Sequence, residues 1–371
     1  MRILLLGGYG YTGKLLARRL LEESAAEIVL AGRQADRARE HADQLNGEFG
    51  GRRVSSCRVD AACRDDLIQA LAGMDFLLVA APTTQYADTV IRASLDAGVD
   101  YLDIQLDANK LTLLKSLAPE IERAGRCFIT EAGFHPGLPA AMVRYAAAQM
   151  DTIDAAVVAG YLNMGQALPY SEAVDELMEA FRHYQGQVYE KGSWTKTTAY
   201  KTRKMDFGGE IGVRNCFSMF FEELRELPDM IPSLHELGFY MSGINWLVDW
   251  VITPLVMAGL KIPSARLTRR LGKITWWGMQ NFSRPPYLVA LQVEATGERA
   301  GQPVKLACRL AHPDGYEFTA IPVVACLKQY LDGTARRPGL WYMGQLVEPQ
   351  RLLRDMEAMG VQVSGGVVQG H

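Results

Sequence analysis

Near the start of the chain three glycines, Gly8, Gly10 and Gly13 in the run GGYGYTG, stand at the spacing G-x-G-x-x-G. That spacing suits an anion: one glycine allows a tight turn out of a strand, and the next lets a pyrophosphate approach the backbone without meeting a Cβ. The third lets helix and strand pack closely. The phosphate then lies on a helix N-terminus, where exposed N–H groups and the positive end of the helix dipole favour negative charge. The other groups able to do chemistry are Asp103, Gln105, Glu131 and His135, each just beyond an apolar run, and Tyr161 further on. His135 leads as acid or base because imidazole titrates near neutrality, with Glu131 and Asp103 as its rivals and Gln105 and Tyr161 as substrate contacts. A histidine before a proline also serves simply to hold a turn, and that reading stands beside the catalytic one. The cysteines form no C-x-x-C pair, and no metal is expected.

For these residues to converge, the chain must build a parallel sheet and present its carboxyl edge. Ile3–Leu6 is an unbroken apolar run, as a strand buried on both faces requires, and an amphipathic helix pattern follows the glycines. A second run, Ile28–Ala31, ends in Gly32-Arg33, with Arg37 and Arg39 behind it. An acidic residue there would hold the ribose hydroxyl of NAD, whereas a guanidinium suits a 2′-phosphate, which favours NADP(H) over NAD(H). The competing reading, a solvated helix face, fits Arg39 better than Arg33. Strands are expected at Val54–Val59, Phe76–Ala81, Tyr101–Ile104 and Cys127–Thr130, with helix patterns between them. Asp60 closes the third strand, where a residue meets the adenine amino group in such folds. Ala80-Ala81-Pro82-Thr83 after the fourth is small, as backbone beside a dinucleotide should be. The alternation specifies a doubly wound α/β sheet of Rossmann type.

The segment EAGFHPGLPA, residues 131–140, reads as a hinge. Beyond it, strands are expected at Ile153–Tyr161, Leu288–Ala295, Val304–Leu310 and Tyr316–Val323, forming a second, α+β domain on an antiparallel or mixed sheet. The domains are placed at 1–135 and 136–344, with 345–371 returning to the first and Ser364–His371 frayed. A helical insertion at about 225–280 is unusual. Phe239–Leu260 is almost wholly apolar, and Lys261, Arg266, Arg269, Arg270 and Lys273 follow with Trp276 and Trp277. Asn245, Asp249 and Pro254 argue against a membrane span. Three readings remain for 239–277: a buried helix at a domain or dimer interface, a pocket for an apolar substrate, or peripheral contact with an anionic membrane.

A chain of 371 residues with 49% hydrophobic and 22% charged residues is a two-domain globular protein. Its net charge of −3 recommends no nucleic-acid partner. Six cysteines without disulfide spacing, and an apolar start that breaks at the glycine turn, point to reduced thiols and a cytoplasmic location.

With GGYGYTGKLLA, LAGR, the APT turn, YLDI and GFHPGLPA in this order, the chain resembles the saccharopine dehydrogenase-like family of NAD(P)-dependent oxidoreductases. The likeness covers the first 140 residues or so. It implies a catalytic second domain, a C-terminal return to the first, and a homodimer. It implies cofactor contacts at Gly8, Gly10, Tyr11, Thr12, Gly13, Arg33, Asp60, Ala81 and Pro82, with Asp103 and the His135 turn facing a small-molecule substrate. The expected reaction is hydride transfer to or from a C=N bond of an imine or secondary amine. The alternatives are an enoyl reductase for an apolar lipid-like substrate and a non-catalytic NADP(H)-binding sensor or scaffold. Tyr200–Lys204 also satisfies the Y-x-x-x-K spacing of short-chain reductases, but it falls in a stretch without helix periodicity and is read as coincidence.

Overall fold

The computed structural model describes residues 1–164, 174, 178, 181–182, 186–198 and 201–369; Tyr200 of the Tyr200–Lys204 spacing lies outside them. The chain divides into two compact units, Met1–Ala141 with Tyr316–Met359, and Met142–Gly315 with Gly360–His371.

In the first unit, the strands are β1 (Arg2–Leu6), β2 (Glu27–Gly32), β3 (Val54–Arg58), β4 (Phe76–Val79), β5 (Asp100–Asp103) and β6 (Cys127–Thr130). They lie in the order β6-β5-β4-β1-β2-β3, and a strand at Gly339–Tyr342 extends the sheet beyond β6. Every pairing is parallel. All residues of β4, β5 and β6 are buried, because crossover helices cover both faces. Each fully buried Leu, Ile or Phe contributes about 1.5–3 kcal/mol, and Ile3, Leu4, Leu5 and Phe76 all show 0% exposure. The helices are α1 (Tyr11–Glu23), α2 (Ala35–Phe49), α3 (Arg64–Leu71), α4 (Ala87–Asp96) and α5 (Ala108–Arg123). Asp107 caps α5 by accepting from the Lys110 N–H, and Gly50 ends α2 in the left-handed conformation.

The return to this unit begins at Tyr316, not at 345, and it begins with a helix. Glu317–Leu331 is α-helical where a strand over Tyr316–Val323 is expected from sequence. Eleven of its fifteen residues are buried, so it shows no polar stripe and its apolar run mimics a buried strand. It packs on α1, with Arg19 paired to Glu317 at 3.1 Å and Lys328 to Glu23 at 2.7 Å.

In the second unit, the strand Thr152–Asn163 runs parallel to Glu236–Ser242 and antiparallel to Leu288–Arg299. Gln302–His312 follows on one side, and Val213–Met219 and Thr202–Asp206 on the other, making a mixed sheet. The last strand, Gln362–Gln369, pairs with Gln302–His312 and so belongs to this sheet, which corrects both the frayed end and the whole-segment return expected for 345–371. A glycine-containing edge strand is held by its backbone ladder and leaves little hydrophobic signature. The insertion expected to be helical over about 225–280 is only partly so. Glu236–Ser242 is a central strand of this sheet, whose burial gives it the apolar run. Helical turns follow at Val248–Ile252 and Thr253–Gly259, with a helix at Ala265–Phe282.

Candidate functional site

The glycine turn leaves β1 and enters α1 in the space of a few residues. A Cβ on Gly13 would stand 2.1 Å from the Gly7 carbonyl oxygen, so the third glycine is fixed by helix-on-strand contact. Gly8 lies against Leu30 of β2, while Gly10 is exposed and its Cβ would meet nothing nearer than the Gly7 oxygen at 3.2 Å. Open space over Gly10 is what a pyrophosphate needs. No side chain caps the helix that follows, and its first turn holds no acidic residue. Its dipole therefore faces the loop uncompensated. Tyr11 is 58% exposed there, its ring 4.5 Å from that of Tyr316, and Thr12 is half-buried beside it.

Gly7 ties the turn to the neighbouring loop. It has φ +89°, and a Cβ there would meet the Ala81 backbone nitrogen at 2.7 Å. Ala81, half-buried, lies against this turn, and Pro82 follows it exposed, both beyond β4. On the other side, Arg33 follows β2 with its guanidinium exposed. Tyr9 fills the angle behind it: its hydroxyl accepts from the Gln34 N–H at 3.0 Å, and Arg37 lies over its ring at 5.3 Å. Arg39 pairs with Asp36 at 2.7 Å, so it belongs to the solvated face. Asp60, half-exposed beyond β3, accepts from the Ala62 N–H at 3.1 Å.

Three residues expected to face substrate are committed elsewhere. Asp103 has no exposure; its Oδ1 accepts from Lys110 Nζ at 2.6 Å and from the Gln105 N–H at 3.0 Å, and its Oδ2 from the Thr130 hydroxyl at 2.8 Å. A carboxylate so enclosed and so fully engaged is a brace between β5 and β6, not an acid or base. Gln105 donates through Nε2 to the Ala81 carbonyl at 2.6 Å and to the Thr83 hydroxyl at 3.1 Å, holding the small loop beside the glycine turn. Tyr161 sits in the core of the second unit, its hydroxyl donating to the Pro286 carbonyl at 3.0 Å and accepting from Asn163 at 3.2 Å. The missed partner is Lys110, whose signal was only a lysine three residues after the α5 cap; pairing it with Asp103 needs the folded chain.

Glu131 and His135 complete the edge. Glu131 is buried with φ +54°, and its N–H points at Asp103 Oδ1, 3.4 Å away. The turn after it is tight: a Cβ on Gly137, φ +118°, would fall 2.7 Å from Gly133 backbone atoms. Phe134 packs on Phe318 of the returning helix at 4.7 Å and on the His135 ring at 4.1 Å. Burial pushes the His135 imidazole down to about 4, so it is neutral at physiological pH. A continuous line thus runs from the glycine turn through Ala81, Gln105 and Asp103 to Glu131, along the carboxyl ends of β1, β4, β5 and β6. Ligands bind at that edge in open parallel sheets.

Residues 3–126 match the saccharopine dehydrogenase NADP binding domain. A carboxyaminopropylagmatine dehydrogenase of Synechocystis sp. is 28% identical over 253 residues, which span 63% of this chain and 61% of that protein's length. Apo saccharopine dehydrogenase (L-Glu forming) of Saccharomyces cerevisiae shares the fold with a TM-score of 0.69, at 14% identity over 99% of both chains.

Proposed function

We propose, from the premise that this is a saccharopine dehydrogenase-like chain whose first unit is an NADP binding domain, that it is an NADP(H)-dependent oxidoreductase acting at a carbon–nitrogen bond. The observation that carries the cofactor is the open Gly10 above an uncapped, acid-free helix start, with the Arg33 guanidinium exposed at the end of β2. When bound, NADPH supplies the hydride. The chain's own residues then position and shield. Gly8, Gly10 and Gly13 let the diphosphate reach backbone N–H groups, and Arg33 offers its fork of donors to the 2′-phosphate. Ala81 and Pro82, on the loop that Gln105 holds through Ala81 and Thr83, would contact the bound cofactor beside the glycine turn. His135 meets the substrate as a neutral hydrogen-bonding group, so it orients a polar end without adding charge. The named substrate of the Synechocystis relative is an amine, which favours C–N over C=C chemistry.

The test is NADPH oxidation with 2-oxo acids paired with amines, run beside enoyl thioesters. Turnover with an amine–oxo acid pair is the expected result. Turnover of enoyl substrates alone would move the reaction to C=C reduction, and calorimetry showing no dinucleotide binding would remove the enzymatic reading.

A further inference from the structure

The helical pair of the second unit carries a surface that the proposed chemistry does not use. Its two arms pack through Val248, Ile252, Val256 and Leu260, every fourth residue, with Leu271 and Met279 against them. A Cβ on Gly278 would stand 2.5 Å from Ile252 Cδ1, so the arms approach closely on that side. The other side is apolar and uncovered. Trp246, Trp250, Val251, Leu255, Ile274 and Trp277 are between 42% and 65% exposed. Trp246 and Trp277 both meet the Phe282 ring, with centroids at 6.4 and 5.4 Å, which joins the aromatics of the two arms into one patch.

Among the described residues, the exposed charges on the helix Ala265–Phe282 have one sign, while Asp249, between Trp246 and Trp250, is partly buried and accepts from the Ile244 N–H at 2.9 Å. On the helix Ala265–Phe282, Arg266, Arg270, Lys273, Ile274 and Trp277 recur at helical spacing and are all exposed. No Asp or Glu occurs between Trp250 and Val293, although the whole chain is net −3. Arginines in the first turns of a helix oppose its dipole, and Arg266 with Arg270 and Arg269 with Lys273 are like-charged i, i+4 pairs. In water this arrangement works against the helix. It is favourable beside a surface that is negative at one depth and apolar at the next.

We propose that this face docks on an anionic phospholipid bilayer, the helices lying in the headgroup plane with the tryptophans and Leu255 at the acyl boundary. No helix among the described residues is long and apolar enough to cross a membrane, so the contact is one-sided. A second copy of the chain is disfavoured as occupant, because a symmetric contact sets this basic patch against itself. The proposal does not depend on which bond the enzyme reduces.

The full chain is sedimented with phosphatidylcholine vesicles, with and without about 30% phosphatidylglycerol, at low and high salt. Binding to the anionic vesicles alone, weakened by salt and accompanied by a blue shift of tryptophan emission, is expected. The triple variant Arg266→Glu, Arg270→Glu, Lys273→Glu should bind about a hundredfold more weakly or worse. Trp250→Ser with Leu255→Ser should bind weakly too and lose the blue shift. An unchanged far-ultraviolet circular dichroism spectrum and a cooperative thermal transition show that each variant is folded. No sedimentation with anionic vesicles at low salt overturns the proposal, as does a charge-reversed variant that binds like the parent. An oligomer that Trp277→Arg dissociates, with no vesicle binding, assigns the face to a second copy instead.

Discussion

Asp103 and Lys110 in the first unit have side chains with no exposure and lie 2.6 Å apart, whereas Arg266, Arg270 and Lys273 in the second are exposed in a stretch without acids. The buried pair gave up hydration on folding, and each member now depends on the other and on Thr130 and Gln105. It ties the carboxyl ends of β5 and β6 together and lies out of reach of solvent. The exposed charges gave up almost nothing and keep their full capacity to interact. A lysine therefore braces the fold in one region and, in the proposal above, faces a membrane in the other, and burial decides which.

The comparison can be broken most sharply at the buried pair. Lys110→Met should lose about 3–5 kcal/mol in urea unfolding, because a carboxylate is left enclosed without its cation. Adding Asp103→Asn should recover part of that loss, and a single variant as stable as the parent would show that the pair braces nothing.

Next comes pH. His135 is depressed to about 4 in the folded chain from an ordinary 6.5. Above about pH 6.5 neither folded nor unfolded chain is protonated there, so it contributes nothing. As pH falls from 6.5 towards 4 the unfolded chain takes the proton first, and stability should drop by up to about 3 kcal/mol. His135→Asn should flatten that slope in urea titrations at successive pH values, and an unchanged slope would assign it to other groups.

Arg33→Asp should lower the preference for NADPH over NADH by about ten- to a hundredfold in initial rates, the loss of charge-assisted hydrogen bonds to a phosphate. Tyr161→Phe should cost about 1 kcal/mol in stability with kcat unchanged; a large fall in kcat would return that hydroxyl to the site. The smallest effect belongs to the exposed helix, where Arg270→Gln should leave stability within about 0.5 kcal/mol and, by relieving repulsion from Arg266 one turn away, on the favourable side. A loss of several kcal/mol in thermal unfolding would mean that the exposed charges also brace the fold.

What could be read from the sequence was what local pattern controls. The apolar runs at 3–6, 28–31 and 127–130 became strands where expected, and the glycine spacing became a strand–turn–helix with its third member in tight contact. Glu317–Leu331 was misread because a helix buried on all sides has no period to display. Asp103, Gln105 and Tyr161 were correctly placed at or near strand ends, but whether a polar group faces ligand or neighbour depends on partners far away in sequence. Thr130 lies 27 residues from Asp103, and Pro286 lies 125 from Tyr161. Only the assembled chain brings those partners into reach.

The parallel sheet has its own consequence for how the molecule comes into being. Its outermost strand, Gly339–Tyr342, hydrogen-bonds along β6, yet the ribosome makes it only after residues 142–315 of the second unit. Until then the nascent dinucleotide half exposes the unpaired backbone edge of β6 and lacks the Glu317–Leu331 cover over α1. A gene fragment ending at Ala141 is therefore an aggregation-prone species, and a soluble minimal version must splice Tyr316–Met359 back onto it.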